Sequence, residues 1–439
     1  MALDDSELVA RLMRADPSLF EGATAGHALG WLGHPQRYLS SWLDDIETRL
    51  PRRHDRTVLL GMGGASSPAR FYSDSKPDST LSVLDTSNPD TVASTEFSRT
   101  NVIVSSKSGS TVETQTLLAH ALASGLEPDD LVIVTDPTTS LGELGRSLGA
   151  VVIEGDPMTG GRFSALSPFG LVPALYAGWT KDELRSELEG CHLTSDMIEG
   201  ARAEARDICA AASDRVTLFR LSADPITNGG AMWLEQLLAE TTGKRGGGVI
   251  PHFEHGVGEY VVSRIQHYHL VASLVAREFG VDPFDQPDVE RAKSDVFDIL
   301  KSPVTWEPLA LDTASMQRAM RDARYIALQA YVPLDQARVV STLRRRLSDE
   351  YGTTTANLGP RYLHSTGQLH KGGPQGVLGV QVVLRPTSDP IRISGRRYSF
   401  HDLHMAQAQS DLRAMRAAGR QGFQLIVDDV DEAAELLGV

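Results

Sequence analysis

Cysteine is nearly missing from this sequence: 439 residues hold only Cys191 and Cys209, with no C-x-x-C pair. That excludes a disulfide framework and a cysteine metal site, and it suits a reducing compartment. Long apolar runs are missing too, since none approaches the roughly 20 residues that cross a bilayer. The opening MALDDSELVA carries acids where a leader peptide needs basic residues. The expectation is a cytoplasmic protein with no membrane partner. Positive charge is scarce: 42 Lys and Arg against 57 Asp and Glu leave a net charge of -15. Nucleic-acid binders carry a basic footprint, so a polyanion partner is disfavoured and any small anion must be held locally. Lysine itself occurs at seven positions, and four of them, Lys107, Lys244, Lys293 and Lys371, fall inside the motifs described below.

What is present is ordinary for a globular protein, with 41% hydrophobic and 23% charged residues. The length exceeds one ordinary core, so two domains are expected. Residues 1–50 read as a helical arm with Trp31, Trp42 and Leu50 as packing residues. Between 57 and 155 short apolar runs (TVLLG, LSVLDT, NVIVSS, LVIVTD, AVVIEG) alternate with amphipathic stretches, a βαβ pattern. Runs that are apolar throughout suit parallel strands buried on both faces, so a doubly wound α/β sheet is predicted, with ligand at its carboxyl edge. Ser110 with Glu113, and Ser140 with Glu143, fit capping boxes. The first domain is taken as 51–205. A second, 206–439, opens with RVTLFRLS and ends with the strand GVLGVQVVL, a helix and the strand FQLIVDD.

The loop GMGGASSP at 61–68 sits between a strand and a helix, where free N–H groups and the helix dipole favour an anion. A phosphate and a dinucleotide are the candidates; Asp85 stands where a ribose-binding acid would lie, but Ser66 replaces the third glycine of the fingerprint. A turn without ligand is the plain alternative. The loop SKSGSTVET at 106–114 clusters hydroxyls at a helix start, a set that can satisfy phosphate oxygens, with Lys107 adding charge or a backbone position. Histidines 252, 255, 267 and 269, with Glu254 and Glu259, invite a metal reading. His-x-x-His lacks the helical spacing of a strong zinc motif, so no metal is expected.

Several motifs together resemble the phosphoglucose isomerase family of the sugar-isomerase (SIS) superfamily. GMGGASSP is similar to its GIGGS loop, SKSGSTVET to its SK-T-x-T-T loop, GGRFSALSPFGL to GGR-S-x-x-x-GL, QLLAETTGK to QLxxES-x-GK, and DPFDQPDVERAK to NPFDQP-x-VE-x-x-K. GPRYLHSTGQLHKGGP at 359–374 resembles a segment of the compact isomerases fused to or neighbouring transaldolases. The resemblance implies two SIS-type domains, no cofactor and a homodimer. It implies an aldose–ketose interconversion of a phosphorylated hexose, glucose 6-phosphate and fructose 6-phosphate, by proton transfer through a cis-enediol. Position by position it makes Ser106, Lys107, Ser108 and Thr111 phosphate ligands, with Gly64 acting through its backbone. Ala65 departs from the family's serine. Arg162 would stabilise the enediolate, with Gly160 and Gly161 permitting close substrate approach. Glu240 would be the base. Lys293 and a histidine would open the ring, His364 being favoured over His370, although this histidine segment follows the FDQ motif here and precedes it in larger members. The histidine could come from either subunit. A non-catalytic phosphosugar sensor and a nicotinamide dehydrogenase are the alternative readings.

Overall fold

A computed structural model describes residues 4–23, 28–39, 41–254, 256, 258–306 and 312–439, the side chains of 290–294 lying outside that description. The five expected strands of the first sheet all form: β1 (Thr57–Gly61), β2 (Leu81–Leu84), β3 (Asn101–Ser105), β4 (Leu131–Thr135) and β5 (Val151–Glu154). They are parallel in the order β2-β1-β3-β4-β5. Their uninterrupted apolar character follows from burial on both faces. Leu59, Ile103, Val132 and Val134 enter one core, while Val58, Leu60, Val102, Val104 and Ile133 enter another on the opposite face. The strand order reverses between β1 and β3, so the loops after these two strands flank a switch-point crevice. Those loops are the glycine loop and the hydroxyl loop.

The second half holds β6 (Val216–Arg220), β7 (Gly248–His252), β8 (Tyr325–Tyr331), β9 (Thr354–Leu358), β10 (Val377–Leu384) and β11 (Gln421–Val427). A parallel four-stranded sheet runs β11-β10-β8-β9, and β6 pairs with β7 in a separate two-stranded parallel sheet. The chain is thus an α/β protein with parallel sheets in both halves. β7 arises at the end of the glycine-rich stretch GKRGGG, because residues 248–252 pair in register with β6.

The arm is more than a cover. Trp31 is wholly buried and stacks on Phe163 at 5.2 Å, and Leu43, Ile46 and Leu50 join the same core. That core also takes Ile198, Ala201, Trp233 and Leu237, so its packing runs across position 205. The helix Gly229–Thr242 is buried at all of its residues, Glu235 and Glu240 included.

The segment after β2 ties the halves together. Leu334, past β8, donates its N–H to Thr91 Oγ1 (3.0 Å), and Thr387 and Ser388, past β10, donate theirs to the Asp90 carboxylate (3.0 and 2.7 Å). Thr86 Oγ1 donates to the carbonyl of Gly359, past β9 (3.5 Å). The carboxyl ends of both sheets therefore converge on residues 86–91.

Neither expected capping box forms. The helix Val112–Ala123 starts after Thr111 without a side-chain cap, and Ser140–Leu148 is capped by Thr139, whose Oγ1 accepts from Gly142 N–H at 3.1 Å. Ser140 is already the first helical residue, and Glu113 is drawn elsewhere, as described below. Thr139→Ala is expected to cost about 1 kcal/mol and Ser140→Ala almost nothing, read from urea midpoints. Among the described residues no helix is long and apolar enough to cross a membrane.

Candidate active site

A cavity of about 720 Å³ opens at the carboxyl edge of the first sheet, between the loops after β1 and β3. The hydroxyl loop forms one wall. Ser106 Oγ donates to Thr111 Oγ1 at 3.2 Å, and Ser108 Oγ accepts from the N–H of Ser110 at 3.3 Å and from its hydroxyl at 3.0 Å. Gly109 turns the loop with φ of +66°, and a Cβ there would lie 2.8 Å from Thr139 Cβ, so glycine is required. The helix Val112–Ala123 begins at once, leaving its first N–H groups and positive dipole end at the cavity. The Lys107 ammonium is already engaged by the Asp136 carboxylate and by the Asp156 carbonyl at 2.9 Å. Of the two roles expected for Lys107, the arrangement favours the backbone position.

The glycine loop lies opposite. A Cβ on Gly64 would come within 2.3 Å of the Gly161 carbonyl, whereas one on Gly161 would meet nothing within 4 Å. Packing of loop on loop therefore demands glycine at position 64, while the space beside Gly161 stays open. This contact sets Arg162 on the cavity wall. Arg162 is 6% exposed; its Nη1 donates to the carbonyls of Glu240 (2.9 Å) and Pro283 (3.0 Å), and its Nη2 to that of Asp285 (3.0 Å). Nη2 also lies 3.2 Å from Glu240 Oε1. One helical turn before Glu240, Gln236 donates from Nε2 to Glu240 Oε2 and to the His364 carbonyl, each at 3.0 Å, while its Oε1 accepts from Ser67 at 2.7 Å. Both carboxylate oxygens of Glu240 are thus fixed toward the cavity.

His364 reaches the same cavity from the same chain, so the histidine does not have to be supplied across a subunit interface. Its Nε2 lies 3.0 Å from Glu113 Oε1, which also accepts from Gln407 Nε2 at 2.6 Å; Gln407 in turn accepts from Ser87. Glu113 and Gln407 are absent from the sequence-based site. Glu113 lay in plain view within SKSGSTVET but read as a capping residue, and nothing local marks Gln407. His370 is wholly buried beside Gln329, and burial pushes its pKa down to about 3, so His364 is the one of the two at the cavity. Lys293 belongs to the helix Glu290–Ile299, but its side chain lies outside the described residues.

Asp85 is unavailable to a ribose. It is wholly buried, bonded by Arg70 through Nε (3.0 Å) and Nη2 (2.6 Å) and by Arg361 at 3.5 Å. The histidines of the metal reading are scattered in function: His267 pairs with Glu204 at 2.7 Å, and His269 sits wholly buried against Trp31, Phe163 and Trp233. His255 lies outside the described residues. Among those that are described, no group of three or more His, Cys, Asp or Glu is arranged to hold a metal ion.

The fold and this cavity define a class: an α/β protein with a polar cavity at the switch point of a parallel sheet, faced by a carboxylate, a guanidinium and an imidazole. The similarity of sequence is to glucose-6-phosphate isomerases. The chain is 32% identical to the glucose-6-phosphate isomerase of Rubrobacter xylanophilus over 213 residues, 44% of this chain and 46% of that one. It is 25% identical to the Campylobacter jejuni enzyme of the same name over 210 residues, 43% of this chain and 50% of that one. The chain thus spans about half the length of these curated relatives. No protein-family model matches it. Among solved structures, glucosamine-6-phosphate deaminase of Thermotoga maritima aligns over 90% of this chain and 99% of its own at 8% identity and a TM-score of 0.37. The description of the fold rests on the sheets themselves.

Proposed function

We propose that this chain is an aldose–ketose isomerase of a phosphorylated hexose, interconverting glucose 6-phosphate and fructose 6-phosphate. The observation that carries the proposal is that Glu240, Arg162 and His364 face one cavity together with the hydroxyl loop. In this reading the phosphate sits on the hydroxyls of Ser106, Ser108 and Thr111 and on the N–H groups of Lys107 and Gly64. Glu240 takes the proton from C2 and returns it to C1 on the same face of the enediol. Arg162 stabilises the negative charge that develops on the enediolate oxygen. His364, its Nε2 committed to Glu113, exchanges a proton with the ring oxygen through Nδ1, with Lys293 as the second ring-opening group. A proton-transfer isomerase with these groups needs no Lewis acid. A cytoplasmic homodimer completes the proposal.

Conversion of fructose 6-phosphate, coupled at neutral pH to glucose-6-phosphate dehydrogenase after EDTA treatment, tests it. Chelator-resistant turnover is expected. Phosphosugar binding without turnover would favour a sensor, and absence of both would remove the reading. Because one chain brings Glu240 and His364 to one cavity, a mixture of refolded Glu240→Gln and His364→Ala chains is expected to stay inactive; recovered activity would mean the histidine crosses between subunits.

A further inference from the structure

The turn 282–286 walls the cavity through Phe284 and Gln286, and two buried cations grip it. Arg162 holds it through the carbonyls of Pro283 and Asp285, each at 3.0 Å. From the other side the Lys244 ammonium donates to the Asp282 carbonyl and pairs with the Asp285 carboxylate at 2.8 Å. Asp282 Oδ1 closes the turn by accepting from Phe284 N–H at 2.7 Å. Lys244 is 3% exposed and follows Gly243, the residue that caps the helix carrying Glu240. Two of the three carbonyls that aim the guanidinium thus belong to a turn whose ends are fixed by Lys244, the third being that of Glu240.

We propose that Lys244 is a positioning residue for Arg162, its ammonium locking the 282–286 turn so that the guanidinium faces the cavity. This rests on the isomerase reading of the site, in which Arg162 meets the enediolate. Lys244 itself touches no reacting atom. The charged groups facing it are Arg162, Asp282 and Asp285, with Glu240 beyond Arg162. Burial and then the Arg162 charge push the Lys244 pKa down to about 8, against the pull of the two aspartates. Loss of its proton would break the ion pair to Asp285, loosen the turn and let Arg162 drift, so turnover should fall as pH rises through that value.

Steady-state kinetics across pH on wild type, Lys244→Met and Lys244→Arg provide the test. Misplacing a group by an ångström can cost up to about a hundredfold, so Lys244→Met should lose about tenfold to a hundredfold in kcat. Its KM should change little, because the phosphate loop lies on a different element, and its alkaline limb should vanish. Lys244→Arg should recover kcat and carry the limb to higher pH. Wild-type kcat in Lys244→Met, or an unmoved alkaline limb, would overturn the proposal. A crystal structure of Lys244→Met reads the same claim without turnover: Arg162 displaced from the Pro283 and Asp285 carbonyls supports it, and Arg162 in place overturns it. If wild type turns over no hexose phosphate, the isomerase reading fails, and the position of Arg162 in that crystal still decides the role of Lys244.

Discussion

Glu240→Gln is expected to lower turnover by at least about a hundredfold, the usual weight of a general base, with phosphosugar affinity little changed. The amide is nearly isosteric, and its oxygen can still accept from Arg162 or Gln236, which now hold Glu240 Oε1 and Oε2 at 3.2 and 3.0 Å. What it cannot do is take a proton from carbon. The hydroxyls at 106–111, the proposed phosphate ligands, sit on a different element and should hold that ligand as before. Comparing kcat from the coupled assay with affinity from calorimetry separates the two effects. Near-normal kcat would remove Glu240 from the role of base, and equal loss of kcat and affinity would make it a binding residue.

Lys371→Met is expected to destabilise the protein by about 3–5 kcal/mol, the cost of stranding one member of a buried ion pair. Lys371 is 3% exposed and its ammonium is paired with Asp411, which is wholly buried. Among the described residues Asp411 would keep Tyr362 OH at 2.7 Å and Gln381 Nε2 at 3.4 Å, too little to solvate a carboxylate. Urea unfolding at neutral pH measures the loss. Lys371→Met with Asp411→Leu removes both charges and should regain most of it, since the desolvation cost disappears along with the attraction. An unchanged midpoint in the single variant would show that water reaches the pair. Lys371 falls in a motif next to the site histidines, yet this pairing makes it a structural lysine, so the scarcity of lysine marks chemistry less directly than the motif positions imply.

The first sheet was legible because strands buried on both faces read as unbroken apolar runs, and the hydroxyl and glycine loops follow two of them directly. β9 was not, because Thr354–Leu358 reads TTANL, polar in composition yet buried throughout. The partner that most decides its burial lies far along the chain: Asn357 donates to Glu235 Oε2 at 2.6 Å. No local pattern records such a bond. The same physics hid half of the site. Glu113 fits a capping box by spacing, but its carboxylate instead meets His364 and Gln407, hundreds of residues away. Lys244 and Arg162 were visible as motif residues, and their shared grip on one turn required the fold.

The bonds that Thr387, Ser388 and Leu334 make to Asp90 and Thr91 have a quantitative consequence. The β8–β10 junction of the second sheet is that sheet's own switch point, where a second ligand would ordinarily lodge. The amides of Thr387 and Ser388 there are already spent on the Asp90 carboxylate, and that of Leu334 on the Thr91 hydroxyl. In the proposed reading, a calorimetric titration should therefore saturate at one phosphosugar per chain.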